Sequence, residues 1–251
     1  MISVIIPTYN EETALPATLQ HLLSQAGDYE VIVVDGGSVD QTCEIVKAIQ
    51  FDVRGSVFDG SEREGQQGTS NFELRTSVRL LTAPKGRASQ MNAGARHAIG
   101  EWLLFLHADT RLPKGALVRL NRLESDSTIR AGGFLHRFSG SDWRLQLVSF
   151  LDNFRCRRSR IIYGDQAMFV RRSLFEQLGG FPNQPILEDV AFCEKLVRVT
   201  APVLLAPPVI TDSRKFVKMG IWRSVVRVLL IILHVEFRLP VLPRVFFQDI
   251  R

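Results

Sequence analysis

Apolar residues fall into short unbroken runs separated by stretches of helical period. ISVIIP (residues 2–7) is a β-branched run cut by Pro7, as expected of a strand covered on both faces. Thr13 to Gln25 then sets Ala14, Leu15, Leu19, Leu22 and Leu23 at helical spacing, and EVIVVD (30–35) is a second buried run. Asp40 to Ile49 has the helical pattern again, VRLLT (78–82) predicts a third strand, Arg87 to Ile99 a helix and WLLFL (102–106) a fourth strand. Such alternation predicts an α/β fold, a mostly parallel central sheet flanked by helices.

The pattern is interrupted once. Residues 52–77 are rich in Gly, Ser, Glu and Gln where connections usually run to about 2–6 residues, which predicts an inserted flexible loop. Beyond Leu112 the alternation loosens. AGGFLHRF (131–138) predicts a strand, Trp143 to Cys156 a helix, QAMFVR (166–171) a strand and Glu188 to Arg198 a helix. A parallel half followed by a mixed half suggests that the first holds a nucleotide and the second a substrate.

With 251 residues and 45% hydrophobic side chains, the chain can bury a sizeable core. Cys43, Cys156 and Cys193 form no C-x-x-C spacing, so neither a disulfide framework nor a zinc site is expected, and a reducing compartment fits. MISVIIPTYN lacks a basic lead and a small-residue cleavage site, so it is taken as a first strand and a cytoplasmic protein is expected. The net charge of +5 is uneven. Residues 214–251 hold eight Lys or Arg against Glu236 and Asp249, a formal +6, which leaves −1 for the rest. A basic tail of this kind points to a local anionic partner. A membrane surface is the expectation, not nucleic acid.

Polar residues gather where the predicted strands end: PTYNE (7–11), DGGSVD (35–40), PKGRASQMN (84–92) and HAD (107–109). One such cluster is an ordinary turn with a helix cap, whereas four along one edge predict a shared site. DGGSVD lacks the G-x-G-x-x-G spacing and PKGRAS the G-x-x-x-x-G-K-[ST] spacing, which removes the two commonest nucleotide-loop readings.

PTYNE, DGGSVDQT, KGRASQMNAGA, FLHADT, YGDQ and GGFPNQPILEDVAF, in this order, resemble the family 2 glycosyltransferases of GT-A fold, most closely the small stand-alone bacterial members with KGRA and HAD blocks. The likeness covers residues 1 to about 216 apart from the insertion. It implies a glycosyltransferase domain (1–216) and a basic amphipathic C-terminal segment (217–251). It also implies an inverting, metal-dependent transfer of sugar from a nucleoside diphosphate donor to an acceptor hydroxyl, with Mg²⁺ or Mn²⁺. Carried over by residue, it implies that Pro7, Thr8, Asn10, Glu11 and Asp35 line the base and ribose pocket, and that Lys85, Arg87 and Asn92 approach the nucleotide.

The family's Asp-x-Asp is HAD here, so Asp109 inherits the metal. His107 departs from that pattern, and three uses stay open for it: ligating a softer metal, hydrogen-bonding the nucleotide, or capping the strand. The resemblance makes Asp189 the base, with Glu188 beside it, and puts Gly164, Asp165 and Gln166 on the acceptor side. Arg214 and Lys215 would steady the diphosphate. Adjacent acids at a helix start also have a plainer use, as partners of the helix dipole.

In residues 220–238, Arg223, Arg227, His234 and Arg238 fall within about 60° of helical arc, and the rest is nearly all apolar. The longest apolar run, Val228 to Leu233, is too short to span a bilayer. The segment is expected to lie in the interface as a peripheral contact at the inner face of the membrane, with a lipid-linked acceptor as corollary. Packing on its own domain or in a homodimer is the alternative use of that face. Two other functions stand against transfer: a sugar-phosphate nucleotidyltransferase, and a catalytically silent nucleotide-binding scaffold at the membrane.

Overall fold

The computed structural model describes residues 1–58, 77–184, 186–223, 225–226 and 230. Residues 59–76 of the predicted insertion lie outside that set. So do Arg227, His234 and Arg238 of the tail pattern, and the side chain of Lys215.

Among the described residues the chain alternates as its apolar pattern predicts. Strands β1 (Ile2–Thr8), β2 (Tyr29–Asp35), β3 (Val78–Thr82) and β4 (Trp102–Phe105) are linked by helices α1 (Leu15–Leu23), α2 (Thr42–Phe58) and α3 (Arg87–His97). β1 pairs in parallel with β2 and β4, and β2 with β3, so four carboxyl ends share one edge. Helix α2 runs to Phe58, past the predicted end at Ile49 and into the segment expected to be a loop.

The second half adds β5 (Thr110–Arg111), α4 (Ala116–Arg122), β6 (Ala131–Phe138), α5 (Trp143–Ser159), β7 (Phe169–Arg171), α6 (Arg172–Gln177), α7 (Glu188–Leu196), β8 (Val203–Thr211) and α8 (Arg214–Met219). The sheet order is β3-β2-β1-β4-β7-β6-β8-β5, with β7 antiparallel to both neighbours and β5 antiparallel to β8. The sheet is therefore mixed beyond β4.

Because strand side chains alternate, β1 feeds two cores. Ile2, Val4 and Ile6 pack with Leu15 and Leu19 of α1 and with Leu117 and Leu120 of α4. Ile5 turns the other way, toward Met91 of α3 and the Phe105, Phe175, Phe181 and Phe192 cluster. Those rings lie 4.8 to 5.2 Å apart. Helix α3 sits unusually close to the sheet, since a Cβ on Gly94 would lie 2.5 Å from Ile5 Cγ2. That close seating holds the start of α3, with Arg87, over the strand ends.

Candidate active site

The first two strand ends are laced together. Asp35, 2% exposed, stands beside Thr8 in the register of β1 and β2. Its carboxylate accepts from the Gly37 and Ser38 amides at 2.8 and 2.9 Å and from Ser38 Oγ, so it folds its own loop. The Asn10 amide donates to Ser38 Oγ at 2.9 Å, and Asn10 Oδ1 accepts from the Val39 amide at 2.9 Å, with Asn10 itself left-handed at φ 54°. The Glu11 amide donates to Thr42 Oγ1 at 2.9 Å. Lys85 Nζ lies 3.7 Å above the Tyr9 ring. Pro7, Thr8, Asn10, Glu11, Asp35 and Lys85 are thus gathered by the first two loops and the start of the third.

Gln90 completes this group, and sequence reasoning missed it. Buried to 2% exposure, it donates from Nε2 to the carbonyls of Thr8 (2.7 Å) and Val34 (2.8 Å), pinning the ends of β1 and β2 to α3. Only its place one turn into the helix after KGRA hints at this. Asn92 goes elsewhere: its amide donates to Phe181 O at 2.8 Å and accepts from Phe181 N at 3.0 Å. It ties α3 to the Gly179–Gly180–Phe181 turn.

A second group forms where β4 ends. Arg87 Nε is 2.7 Å from Glu188 Oε1, and Arg87 Nη1 is 3.5 Å from His107 Nε2. The Gly164 amide donates to Asp189 Oδ2 at 2.6 Å. A Cβ on Gly164 would sit 2.7 Å from His107 Nε2 and 3.2 Å from Asp189 Oδ2, so the three residues meet with no room to spare. Glu188 and Asp189 open α7 at 1% and 6% exposure. Burial pushes the Glu188 carboxyl up; Arg87 pulls it back and Asp189 adds to the rise.

Replacing Gly164 with Ala displaces the His107 ring or the Asp189 carboxylate. Since a misplacement of about 1 Å costs roughly 10²-fold in rate, a loss near that size is expected with the melting temperature little changed, checked by turnover and thermal denaturation together.

The 164–166 turn is held from behind. Gln166, fully buried, accepts from the Tyr163 amide at 3.1 Å, and the Arg155 guanidinium lies 3.5 Å above the Tyr163 ring. Asp165 faces His136 at 3.8 Å, and burial pushes its carboxyl up to about 6 while His136 pulls it down. His136, Asp152 and Asp165 offer ligand atoms within 4.8 Å of one another, a set that could hold a metal ion, although Asp152 already accepts from Arg155 at 2.8 Å.

Asp109 opens in another direction. The turn closed by the Thr110 amide on His107 O (3.1 Å) sends Asp109 into a pocket shared with Arg111, Ser139, Asp212 and Arg214. The Asp212 amide donates to Asp109 O at 3.0 Å, and Arg214 Nε is 2.6 Å from Asp212 Oδ2. Two carboxylates and two guanidiniums around one pocket suit a hard divalent cation carrying a diphosphate.

Residues 3–179 match the model of glycosyl transferase family 2, which covers most of the chain and the motifs at all four strand ends. The chain belongs to this family. A PGL/p-HBAD biosynthesis glycosyltransferase of Mycobacterium bovis is 31% identical over 191 residues, spanning 72% of this chain and 63% of that protein. An undecaprenyl-phosphate 4-deoxy-4-formamido-L-arabinose transferase of Edwardsiella ictaluri is 28% identical over 167 residues, 65% of this chain and 42% of that protein. The chain therefore spans only part of the length of these relatives.

Solved structures of GT-A glycosyltransferases share this fold. The Pyrobaculum calidifontis mannosyltransferase PcManGT, in complex with GDP-Man and Mn²⁺, has a TM-score of 0.59 at 24% identity over 84% of this chain and 56% of that one. S. aureus TarS 1-349 in complex with UDP-GlcNAc has a TM-score of 0.61 at 20% identity over 94% of this chain and 67% of that one. The predicted fold class is thereby met.

Proposed function

We propose that this family 2 member is an inverting glycosyltransferase that moves a sugar from a nucleoside diphosphate donor to an acceptor hydroxyl carried on a lipid. The observation that carries the reading is the meeting of Arg87, His107, Gly164, Glu188 and Asp189 at one edge, joined through the His107–Thr110 turn to the Asp109 pocket. The named complexes of PcManGT with GDP-Man and of TarS with UDP-GlcNAc support a nucleotide-sugar donor, and the undecaprenyl-phosphate transferase supports a lipid acceptor.

In this reading the first two loops take the base and ribose, with Asp35 setting their shape through its bonds to the 37–38 amides. Asp109, with Asp212 in the same pocket, would hold Mg²⁺ or Mn²⁺, and Arg214 would steady the diphosphate. Bound there, the ion supplies Lewis-acid stabilisation of the departing diphosphate. Asp189 accepts the proton of the attacking hydroxyl; the Gly164 amide fixes its Oδ2, and Arg87 engages the neighbouring Glu188 in an ion pair. Attack from the face opposite the leaving group inverts the anomeric centre.

The test is donor breakdown. With Mn²⁺ and a panel of nucleotide sugars, release of UDP or GDP is expected, lost with chelator and lost in Asp109→Asn. Pyrophosphate release would instead mark nucleotidyl transfer, and no release with any donor would mark a silent scaffold.

A further inference from the structure

Helix α5 has two apolar sides, and only one is used. Leu145, Val148 and Cys156 are buried, with Leu145 and Val148 packing against Phe138 of β6. On the other side Trp143, Leu147, Phe150, Leu151 and Phe154 are exposed by 65, 47, 64, 41 and 60%. Their offsets of 4, 7, 8 and 11 place all five within about 100° of helical arc. A helix at the surface of a globular domain ordinarily turns charged residues to that side.

The net charge around this stripe is positive. Asp152, the one acid of α5, is 7% exposed and committed to Arg155, so it adds nothing to the outer face. Arg157, Arg158 and Arg160 are exposed where the stripe ends. Next to it, Phe216, Ile221 and Val225 pack on the Phe138–Leu145–Val148 cluster, while Val217, Trp222 and Val226 are exposed by 55, 60 and 53% beside exposed Lys218 and Arg223. No Asp or Glu occurs in residues 213–226.

We infer that the outer face of α5, with the adjoining 217–226 segment, docks on a bilayer surface containing anionic lipid. Large apolar side chains flanked by Lys and Arg are the chemistry that an acyl–headgroup boundary takes up. A second copy of the chain is a poorer occupant. Two such stripes laid together bring arginines against arginines, and Asp142, next to Trp143 in sequence, is already paired with Arg144 at 2.6 Å.

The inference deepens the lipid-acceptor reading and rests on it only for its purpose: the inner face of α5 carries the Arg155 that stacks on Tyr163, so the docked helix backs the 164–166 turn. Membrane docking itself is read without any turnover.

Full-length protein floated with phosphatidylcholine–phosphatidylglycerol vesicles at low salt is expected to partition to the lipid, much less with phosphatidylcholine alone or at high salt. The Phe150→Glu/Phe154→Glu double variant should lose about tenfold or more of that partition, with its melting temperature and nucleotide release in free solution unchanged. In a Trp222→Phe background, brominated lipid should quench Trp143.

Failure of the wild-type protein to float overturns the inference. So does flotation of the double variant at wild-type level without Trp143 quenching, the result expected if residues 227–251 cover α5. A wild-type dimer that the double variant breaks, with no flotation, would give the face to self-association instead. Flotation without nucleotide release keeps the docking surface and removes the transferase reading.

Discussion

Asp189→Asn is expected to lower the rate of sugar transfer by about 10²- to 10⁴-fold, the usual contribution of a positioned general base, while nucleoside diphosphate binding changes little. The geometry sets what the substitution removes. Asp189 Oδ2 accepts from the Gly164 amide at 2.6 Å and Oδ1 from the Val190 amide at 2.8 Å, and neither contact fixes the shape of the nucleotide loops. Asn has the same size but one acceptor oxygen, so it removes the proposed proton acceptor and also leaves one of these two amides facing an NH2 group, which thermal denaturation of the variant registers separately. Single-turnover transfer separates the chemical step, and calorimetric titration with UDP or GDP reports the donor site. Wild-type turnover in Asp189→Asn would remove Asp189 from the role of base. A parallel loss of nucleotide affinity would show that the two halves of the site are coupled through the 164 turn.

Much of this was legible in the sequence, and what was not has physical reasons. The runs ISVIIP and EVIVVD became β1 and β2 because strands buried on both faces need unbroken apolar stretches, and VRLLT became β3, the half-buried strand at the sheet's edge. AGGFLHRF became β6 at the predicted residues. Strand β8 was missed: Pro207 and Pro208 stand inside it, and prolines demote a run that is otherwise apolar. QAMFVR shortened to Phe169–Arg171 because Gly164–Gln166 form a 3-10 turn, fixed by a glutamine side chain that periodicity does not register.

At the site, motif order placed Asp35, His107 and Asp189 near strand or helix ends, but not the directions of their side chains. That His107 turns toward Gly164 while Asp109, two residues on, opens to Arg214 depends on the tight turn and on the pairing of β5 with β8. No local signal encodes that pairing. Gln90 escaped for the opposite reason: a buried amide capping two strand ends looks in the sequence like any polar helix residue.

Arg87→Ala is expected to destabilise the fold at neutral pH by about 3 kcal/mol, the lower part of the range for removing one partner of a buried ion pair. The asymmetry of the pair sets the size. The Arg87 side chain is 45% exposed, so water can replace its partner, but the Glu188 side chain is 2% exposed and cannot be rehydrated without opening α7. For a chain of this length the loss corresponds to roughly 6 to 12 °C in melting temperature.

The pH dependence fixes the cause. Burial already raises the folded-state pKa of Glu188 above its unfolded value, and removing Arg87 takes away the group that holds it down. Between the two values the folded state binds more protons than the unfolded one, so stability rises as pH falls through the folded pKa. The Arg87→Ala deficit should therefore shrink as pH falls from neutral toward the ordinary carboxylate range, and Arg87→Ala/Glu188→Gln should regain most of the lost stability at neutral pH. Thermal denaturation of the two variants across that range checks both. A deficit in Arg87→Ala that is independent of pH and not relieved by Glu188→Gln would mean that Arg87 stabilises α3 through packing, and not by neutralising the acid at the head of α7.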